Sequence, residues 1–439
     1  MMHLKPSGWE IAMSTFERMN GVCVGVAWRF TAAILVFECF AAGAAAQNKP
    51  QPSLNEHWVT TWATAQQLAP QPRLPGPAPN VPATLKNQTL RMIARTSIGG
   101  RRVRIQVSNA MGNKPLVIGN AHIALRDKAA AIIPTSDRAL TFGGRPTMTV
   151  PPGALIVSDP VNLAVPKLTD LAISLYLPED TGSPSIHPIG LHTNYIAEGE
   201  VTAKTSFDTP TTTTAYLWLS SIDVLAPANA GAIVAFGDSI TDGFATTIDK
   251  DHAWPTLLAK RLGTTKSTEM LGVANLGIAG NRVLRDGAGL SALARFDRDV
   301  LSLAGVRWMT LLEGINDITF SALPVFSAET VTAEDLIGGY LQIIERAHMH
   351  GIKVAGATIM PVGGVSTYRE SGEAVRQAVN QWIRNSRAFD AVIDFDALMR
   401  DPADPKRLRP EFDPGDHVHP DDKGNERMAE AIDLSIFLK

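Results

Sequence analysis

The chain has 439 residues, of which 45% are hydrophobic and 19% carry a charge. This composition is typical of a soluble globular protein, and the length favours two domains. The net charge of −3 creates no positive field, which argues against a nucleic acid or an anionic membrane surface as a partner.

The first 46 residues have the layout of a signal peptide. Arg29 leads into an apolar run over residues 30–40, and three alanines end at Ala46. The run is short and contains a glutamate, so a permanent transmembrane helix is the weaker interpretation. We therefore predict cleavage near Ala46 and export to the periplasm or the medium. Both cysteines, Cys23 and Cys39, lie in this leader, so we expect no disulfide in the mature chain.

Residues 47–227 are predicted to form an N-terminal arm and a β-sandwich-like domain. The stretch 48–82 is rich in Pro, Gln and Ala, which indicates an extended arm held by Trp58 and Trp62. Short β-forming runs then alternate with turn residues, as in sandwiches. These runs cover residues 90–98, 103–108, 171–177 and 216–225.

Residues 228–439 follow a different pattern, and a boundary is expected at residues 226–229. Short apolar runs without strict alternation indicate strands covered on both faces, and the segments between them have helical spacing. This order predicts an α/β domain with a parallel sheet and helices on both sides. The predicted strands cover residues 232–236, 307–312, 352–359 and 391–395.

Reacting groups are expected in the loops that follow these strands, because sites in open α/β sheets form at the carboxyl ends of the strands. Gly237-Asp238-Ser239 follows the first predicted strand. A serine in such a turn is more often a helix cap than a nucleophile. The serine therefore needs a base elsewhere in the chain.

The C-terminal loop supplies a candidate base. Asp416 stands three residues before His419, so its carboxylate can orient the imidazole, and the imidazole can take a proton from a serine hydroxyl. Metal binding by His417 and His419 is the alternative, but no third and fourth ligands stand out. We predict no metal and no organic cofactor.

Two further loops can supply hydrogen-bond donors for an oxyanion. One covers residues 275–281 and contains Gly277 and Gly280, and the other contains Gly314 and Asn316. Glycine amides allow close approach, and a carboxamide is a neutral donor. Each loop alone is more often an ordinary turn.

Taken together, these four segments resemble the SGNH (GDSL-like) hydrolase family, whose blocks carry a Ser, a Gly, an Asn and a His in this order. The resemblance covers the last half of the chain and implies a three-layer α/β fold. It implies Ser239 as nucleophile, Asp416 and His419 as triad partners, and an oxyanion hole made by Ser239, Gly280 and Asn316. Gly280 falls at the position of the family's glycine, although Gly277 is an alternative. His419 is preferred over His417 because of the Asp-x-x-His spacing and the proline that follows.

Residues 58–67 and 108–119 resemble a subgroup of secreted bacterial SGNH proteins with an added N-terminal β-domain. That resemblance implies an exported serine esterase that removes O-acetyl groups from carbohydrate. A lipase or arylesterase acting on short or medium acyl esters is the alternative within the family. An inactive glycan-binding protein is the alternative of another class.

Overall fold

In the computed structural model, which describes residues 55–69 and 80–438, the first part of the chain consists of short strands. The predicted signal peptide and its cleavage site lie outside the described residues. In chain order the strands are β1 (Glu56–Ala63), β2 (Gln88–Arg95), β3 (Gly100–Ser108), β4 (Leu116–Ile118), β5 (Asn120–Leu125), β6 (Arg138–Ala139), β7 (Met148–Val150), β8 (Leu155–Val157), β9 (Val161–Val165), β10 (Asp170–Leu177), β11 (Ile186–His187), β12 (Asn194–Glu198), β13 (Thr211–Thr213), β14 (Tyr216–Leu217) and β15 (Leu219–Pro227).

Two antiparallel sheets dominate this part. One has the order β1-β15-β3-β8, with β9 also paired to β3, and the other has the order β13-β12-β2-β10-β5-β6. Side chains from both sheets share one core, and full burial of each is worth about 1.5–3 kcal/mol. The predicted β-sandwich-like architecture is therefore confirmed. Core members from the two sheets include Val103, Ile105, Ile222, Leu90, Met92 and Leu171.

The predicted N-terminal arm is wrong over Glu56–Ala63, because these residues form β1. This strand pairs antiparallel with β15, and Trp58 stands opposite Leu225. The aromatic and β-branched residues of β1 favour a strand, but the prediction rested on the composition of residues 48–82, which the Pro-rich and Gln-rich flanks dominate. The rings of Trp62 and Tyr216 pack edge to face with their centroids 4.7 Å apart, so Trp62 packs within the β-rich part.

The second part of the chain alternates strands with helices. A parallel sheet of five described strands has the order β17-β16-β18-β19-β20. Its elements are β16 (Gly231–Gly237), α1 (Ser239–Asp242), α2 (Trp254–Thr264), β17 (Leu271–Gly277), α3 (Ala292–Phe296), β18 (Val306–Leu312), α4 (Ile315–Phe320), α5 (Ala333–Met349), β19 (Lys353–Ala357), α6 (Glu370–Asn385), β20 (Ala391–Ile393), α7 (Phe395–Met399) and α8 (Asp422–Ala431).

Helices cover both faces of the parallel sheet. Val234 and Phe236 of β16 belong to a core with residues of α3, α5 and α6. Ile233 and Ala235 of the same strand belong to a second core with residues of α2, α7 and α8. The predicted three-layer fold is therefore confirmed. In the described residues no helix combines the length and apolar character needed to cross a membrane.

The sequence prediction missed the edge strand β17 and several helices of this part. Residues 275–277 were placed in a loop, but they complete β17. The amphipathic α6 was not predicted. The last predicted strand ends early, at Ile393, because the Asp394 side chain accepts a hydrogen bond from the Ala397 amide and caps α7.

Hydrogen bonds join the two parts, whose described residues lie in one compact unit. The Thr60 amide donates to the Ala304 carbonyl at 2.9 Å, and the Ala304 amide donates to Thr60 Oγ1 at 3.0 Å. The Val273 amide of β17 donates to Ser97 Oγ at 3.0 Å. The parallel sheet is thus bonded directly to the β-rich part.

Candidate active site

Ser239 lies at the carboxyl end of β16, where the chain turns sharply into a short helix. A Cβ on Gly237 would come within 2.3 Å of the Leu312 carbonyl oxygen, so this position requires glycine. Asp238 caps α1 by accepting a hydrogen bond from the Ile240 amide at 2.9 Å. Gly243 has a φ of 101° and ends the helix after four residues. Ser239 is therefore the first residue of a fixed helical turn.

The structure brings the three predicted triad side chains together. His419 Nε2 lies 2.8 Å from Ser239 Oγ, and His419 Nδ1 lies 2.7 Å from Asp416 Oδ2. The other oxygen of Asp416 accepts hydrogen bonds from the amides of Val418 and His419, both at 2.9 Å. The Phe244 ring packs against the imidazole, with ring centroids 4.5 Å apart. This geometry fixes the imidazole between a hydroxyl and a carboxylate.

Asp416 is charged at neutral pH. Partial burial disfavours the charged form, but the hydrogen bonds from the His419 ring and from the amides of His419 and Val418 outweigh it. Together they lower the pKa of Asp416 from 3.8 to about 2. The imidazole therefore faces a carboxylate that can hold its Nδ1–H and stabilise an imidazolium.

His417, the alternative base, belongs to a separate pair. Its Nδ1 lies 2.6 Å from Asp413 Oδ2, and the Asp413 carboxylate also accepts hydrogen bonds from the amides of His417 and Gly415. His417 has a φ of 63°, an unusual conformation for a residue with a side chain. The structure thus brings His419, and not His417, to Ser239.

The predicted oxyanion residues follow the strands on either side of β16, since Gly280 comes after β17 and Asn316 after β18. The Ile278 amide donates to the Gly237 carbonyl at 3.0 Å and holds the first loop beside α1. Asn316 Nδ2 donates to the Asn281 carbonyl at 2.8 Å, which ties the two loops together. A carboxamide has a second N–H that can point at a reacting oxygen.

Gly277 has a different environment from Gly280. Its amide already donates to Asn275 Oδ1 at 3.0 Å, and a Cβ on it would come within 2.2 Å of the Asp242 amide nitrogen. Gly277 therefore allows β17 to pack closely against α1. Gly280, with a φ of 76°, lies at the turn beyond the strand.

Arg295, which the sequence analysis did not single out, holds the ends of two strands. Its guanidinium is fully buried and donates to the carbonyls of Gly237 and Leu276 at 2.9 and 2.7 Å. It also donates to Asn281 Oδ1 at 2.8 Å and to Asp299 at 3.1 Å. One side chain thus links the serine turn to the Gly280 loop. The sequence around Arg295 gave no sign of this role, because an arginine on a short helix is ordinarily solvated.

Three buried acids lie under the same loops. Burial, with repulsion between the carboxylates, raises the pKa of Asp238 to about 7. Burial raises the pKa of Asp317 to about 6, although its carboxylate accepts hydrogen bonds from the amides of Val283 and Leu284. Burial also raises the pKa of Glu313 well above its usual range. Asp317 fixes the Gly280 loop to α4, so it acts on the site through the backbone.

The described residues, 55–69 and 80–438, contain no group of three or more His, Cys, Asp or Glu side chains placed to hold a metal ion. Two further histidines of the α/β part lie beside carboxylates. His252 Nδ1 lies 2.8 Å from Asp422, and His348 Nε2 lies 2.8 Å from Asp390. His350 is exposed. The reacting groups that the site offers are a hydroxyl, an imidazole, a carboxylate and amide donors.

Comparison with known proteins gives a family match for most of the α/β part. Residues 235–427 match the GDSL-like Lipase/Acylhydrolase family. No curated protein matches the chain.

Similar solved structures include a GDSL-like lipase from Bacteroides thetaiotaomicron, which is 21% identical with a TM-score of 0.35 over 47% of this chain and 87% of that chain. A variant of an acetyl xylan esterase from Geobacillus stearothermophilus is 19% identical, with a TM-score of 0.37 over 47% of this chain and 96% of that chain. The acetyl xylan esterase AlAXEase is 22% identical, with a TM-score of 0.36 over 46% of this chain and 96% of that chain.

The matched range contains Ser239, Gly280, Asn316, Asp416 and His419. Residues 235–427 therefore match a GDSL-like lipase/acylhydrolase domain, and this match supports a carboxylic ester hydrolase.

Proposed function

We propose that the protein hydrolyses esters through an acyl-enzyme on Ser239 and that its substrate is an O-acetyl group on an extracellular carbohydrate. The observation that carries the mechanism is the continuous hydrogen-bonded series from Ser239 Oγ through the His419 ring to the Asp416 carboxylate. A serine hydroxyl becomes a competent nucleophile when a base accepts its proton, and this series places the base within hydrogen-bond distance.

In the first step Ser239 Oγ attacks the carbonyl carbon and its proton passes to His419 Nε2. The carbonyl oxygen becomes an oxyanion, which accepts hydrogen bonds from the amides of Ser239 and Gly280 and from Asn316 Nδ2. The imidazolium then returns the proton to the alkoxide oxygen of the leaving alcohol as the ester C–O bond breaks. The acyl group remains on Ser239.

In the second step water attacks the acyl-enzyme. His419 takes a proton from the water and returns it to Ser239 Oγ, which leaves as the carboxylic acid forms. Asp416 holds the Nδ1–H throughout and stabilises each imidazolium, so it keeps the ring in the tautomer that exposes Nε2 to the serine.

The open position of the triad supports a large, polar alcohol part. The Asp416 side chain is 39% exposed and the His419 side chain 16% exposed, so solvent reaches the site from the side of the C-terminal loop. A long acyl chain needs an enclosed apolar surface, whereas an acetyl group on a polysaccharide needs access from solvent. The predicted export would bring the enzyme to such a substrate.

The mechanism is tested with the full chain and its Ser239→Ala variant on a short-chain chromogenic acetate. We expect the variant to fold normally and to lose at least about 10⁴-fold in kcat, the scale found when a triad nucleophile is removed. Turnover that survives in Ser239→Ala would contradict the acyl-enzyme mechanism.

The substrate is tested by measuring acetate release from acetylated xylan and from other acetylated glycans. Release that disappears in Ser239→Ala supports the carbohydrate assignment. Activity on longer acyl esters without any release from glycans would favour a lipase or arylesterase. A folded protein that binds glycan and hydrolyses no ester would instead be an inactive binding protein.

A further inference from the structure

We propose that His187, which lies in the β-rich part of the chain, is a positioning residue that holds the oxyanion loop in place through Asp242. The proposal rests on the proposed function, because it assigns a role in the same reaction. It identifies the β-rich part as a contributor to the active site.

His187 is surrounded by hydrogen-bond acceptors. It belongs to β11 and is buried. Its Nδ1 lies 3.0 Å from the Ala65 carbonyl oxygen, while Nε2 lies 3.1 Å from the Ile189 carbonyl oxygen and 3.0 Å from Asp242 Oδ1. A neutral imidazole has one N–H, but here both nitrogens face acceptors. Satisfying all three contacts requires N–H groups on both nitrogens, an arrangement that favours the protonated ring, an imidazolium.

Asp242 connects this imidazolium to the active site. It is the last residue of α1, whose first residue is Ser239. Its second oxygen, Oδ2, accepts a hydrogen bond from the Ala279 amide at 3.0 Å. Ala279 immediately precedes Gly280, so one carboxylate is bonded both to the β-rich part and to the oxyanion loop. The orientation of that carboxylate therefore affects the direction of the Gly280 amide.

The His187 imidazolium and the Asp242 carboxylate are buried together, and their opposite charges compensate each other. Burial of the imidazole opposes its protonation, but the Asp242 carboxylate and the hydrogen bonds to Asp242, Ala65 and Ile189 outweigh burial, so the pKa of His187 is raised above 6.5. A buried carboxylate without a partner is costly, which makes the imidazolium important for keeping Asp242 in place.

Other titratable groups line the same cavity, which measures about 80 Å³. The Asp251 carboxylate lies between His192 and Arg95. Its Oδ1 is 3.1 Å from His192 Nε2, and its Oδ2 is 3.3 Å from Arg95 Nε. His252 lies beside Asp422 at 2.8 Å. These groups are paired with carboxylates other than Asp242, so the charge balance at Asp242 depends on His187.

The expected effect of losing His187 is on turnover. Without the imidazolium the Asp242 side chain can rotate away from the Ala279 amide, and the loop that carries Gly280 loosens. Oxyanion donors act in the transition state more than in the bound substrate, so their displacement lowers kcat and leaves KM nearly unchanged.

The experiment uses the full chain and three variants. His187→Phe fills the space without any N–H donor, and His187→Gln keeps an N–H close to the position of Nε2. His122→Phe is the control, because His122 is a half-buried histidine of the β-rich part and lies 2.9 Å from its own aspartate, Asp137. Each protein is assayed for kcat and KM on a chromogenic acetate and for hydrogen exchange of the backbone amides of residues 277–281.

We expect His187→Phe to lower kcat at least about tenfold, since loss of a whole oxyanion donor typically costs 10²–10³-fold. KM should stay nearly constant and exchange at residues 277–281 should become faster. His187→Gln should recover most of the lost kcat, and His122→Phe should behave like the wild type. Unchanged kcat and exchange in His187→Phe would overturn the proposal, as would a loss of kcat with unchanged exchange.

A second measurement needs no substitution. The nitrogen NMR spectrum of the wild-type His187 ring at pH 7 should show both nitrogens protonated, and a neutral ring would overturn the proposal even if His187→Phe failed to fold. If the wild-type chain hydrolysed no ester, the proposed function would fail. The exchange comparison and the ring spectrum would still decide whether His187 holds the loop.

Discussion

Two Asp–His pairs stand side by side in the C-terminal loop, and they differ in what the imidazole can reach. His419 contacts Ser239 Oγ, whereas His417 is bonded to Asp413. The Asp-x-x-His spacing was sufficient to identify the correct pair for this contact. The two pairs also allow a matched comparison, because substituting either His419 or His417 removes an imidazole from beside a carboxylate in the same loop.

We expect His419→Gln to reduce kcat by at least about 10⁴-fold, because the base that takes the serine proton is lost. His417→Gln should retain kcat within about threefold, as a substitution away from the reacting atoms usually does. Steady-state kinetics on a chromogenic acetate measures both. Equal losses in the two variants would show that His419 has no special role.

Asn316 is predicted to act through its side-chain amide. Asn316→Ala should lower kcat by about 10²–10³-fold, or about 2.7–4 kcal/mol, with little change in KM. The substitution also removes the hydrogen bond to the backbone carbonyl of Asn281, so hydrogen exchange at residues 277–281 in the variant is measured to show whether the loop itself has loosened. A larger effect on KM than on kcat in Asn316→Ala would argue against an oxyanion role.

Sequence reasoning identified the residues that the structure brings together around Ser239, and it missed buried residues that contact the loops of the site. Ser239, Asn316 and His419 stand in short motifs after strands. Arg295 and His187 reach the site through carbonyls and through Asp242, and both contacts join residues far apart in the chain. No local pattern in a single sequence marks such a contact.

At the scale of elements, α1 combines a functional turn with a buried acid at its cap. The pKa of Asp238 is raised to about 7, so the folded protein binds a proton there that the unfolded chain releases near pH 3.8. A raised carboxyl pKa means that stability falls as the pH rises from about 4 to about 7. Asp238 therefore opposes folding increasingly toward neutral pH.

Asp238→Asn keeps an oxygen that can accept the Ile240 amide but removes the titration. We expect the variant to gain stability relative to the wild type as the pH is raised from 5 to 8. Thermal unfolding across that range, with Asp413→Asn as a control at a carboxyl whose pKa is lowered, measures the difference. A difference in Tm that is independent of pH would contradict the protonated state of Asp238.

The elements that could be predicted are those with a strong local pattern. The apolar runs around Val234, Met309 and Val354 identified buried parallel strands, and helical spacing identified α2, α5 and α8. β1 was missed because its Pro-rich and Gln-rich flanks dominate the composition of residues 48–82. The end of β17 was missed because Asn275 and Gly277 suggest a loop, although the neighbouring β16 stabilises them as strand.

At the scale of the whole molecule, buried polar atoms contribute to the contact between the two parts, beside the apolar packing of Ala232 and Val306 on the core of the β-rich part. Ser97 Oγ donates to the Thr61 carbonyl at 2.6 Å and accepts the Val273 amide at 3.0 Å. Ser97→Ala leaves both backbone groups without this partner in a buried place. We expect a loss of about 1–3 kcal/mol in the free energy of unfolding, whereas Ser220→Ala, which removes a single 3.3 Å hydrogen bond, should cost less.

Denaturant unfolding followed by fluorescence and by residual esterase activity tests this. Both probes should give the same midpoint in the wild type, and both should shift together in Ser97→Ala, because the described residues lie in one compact unit. Separate transitions would show that the β-rich part unfolds independently. The sequence could not predict this coupling, because Ser97 and Val273 are 176 positions apart.

The bonds from Ser97, Thr60 and His187 into the α/β part also bear on how such a protein can be re-engineered. A recombinant fragment starting at Gly231 would keep the triad, yet it would leave the Val273 and Ala304 amides and the Asp242 carboxylate without their partners. Module exchange at that junction would therefore damage the catalyst itself. New substrate preferences are better introduced by changing the exposed rim around Asp416 than by swapping the β-rich part.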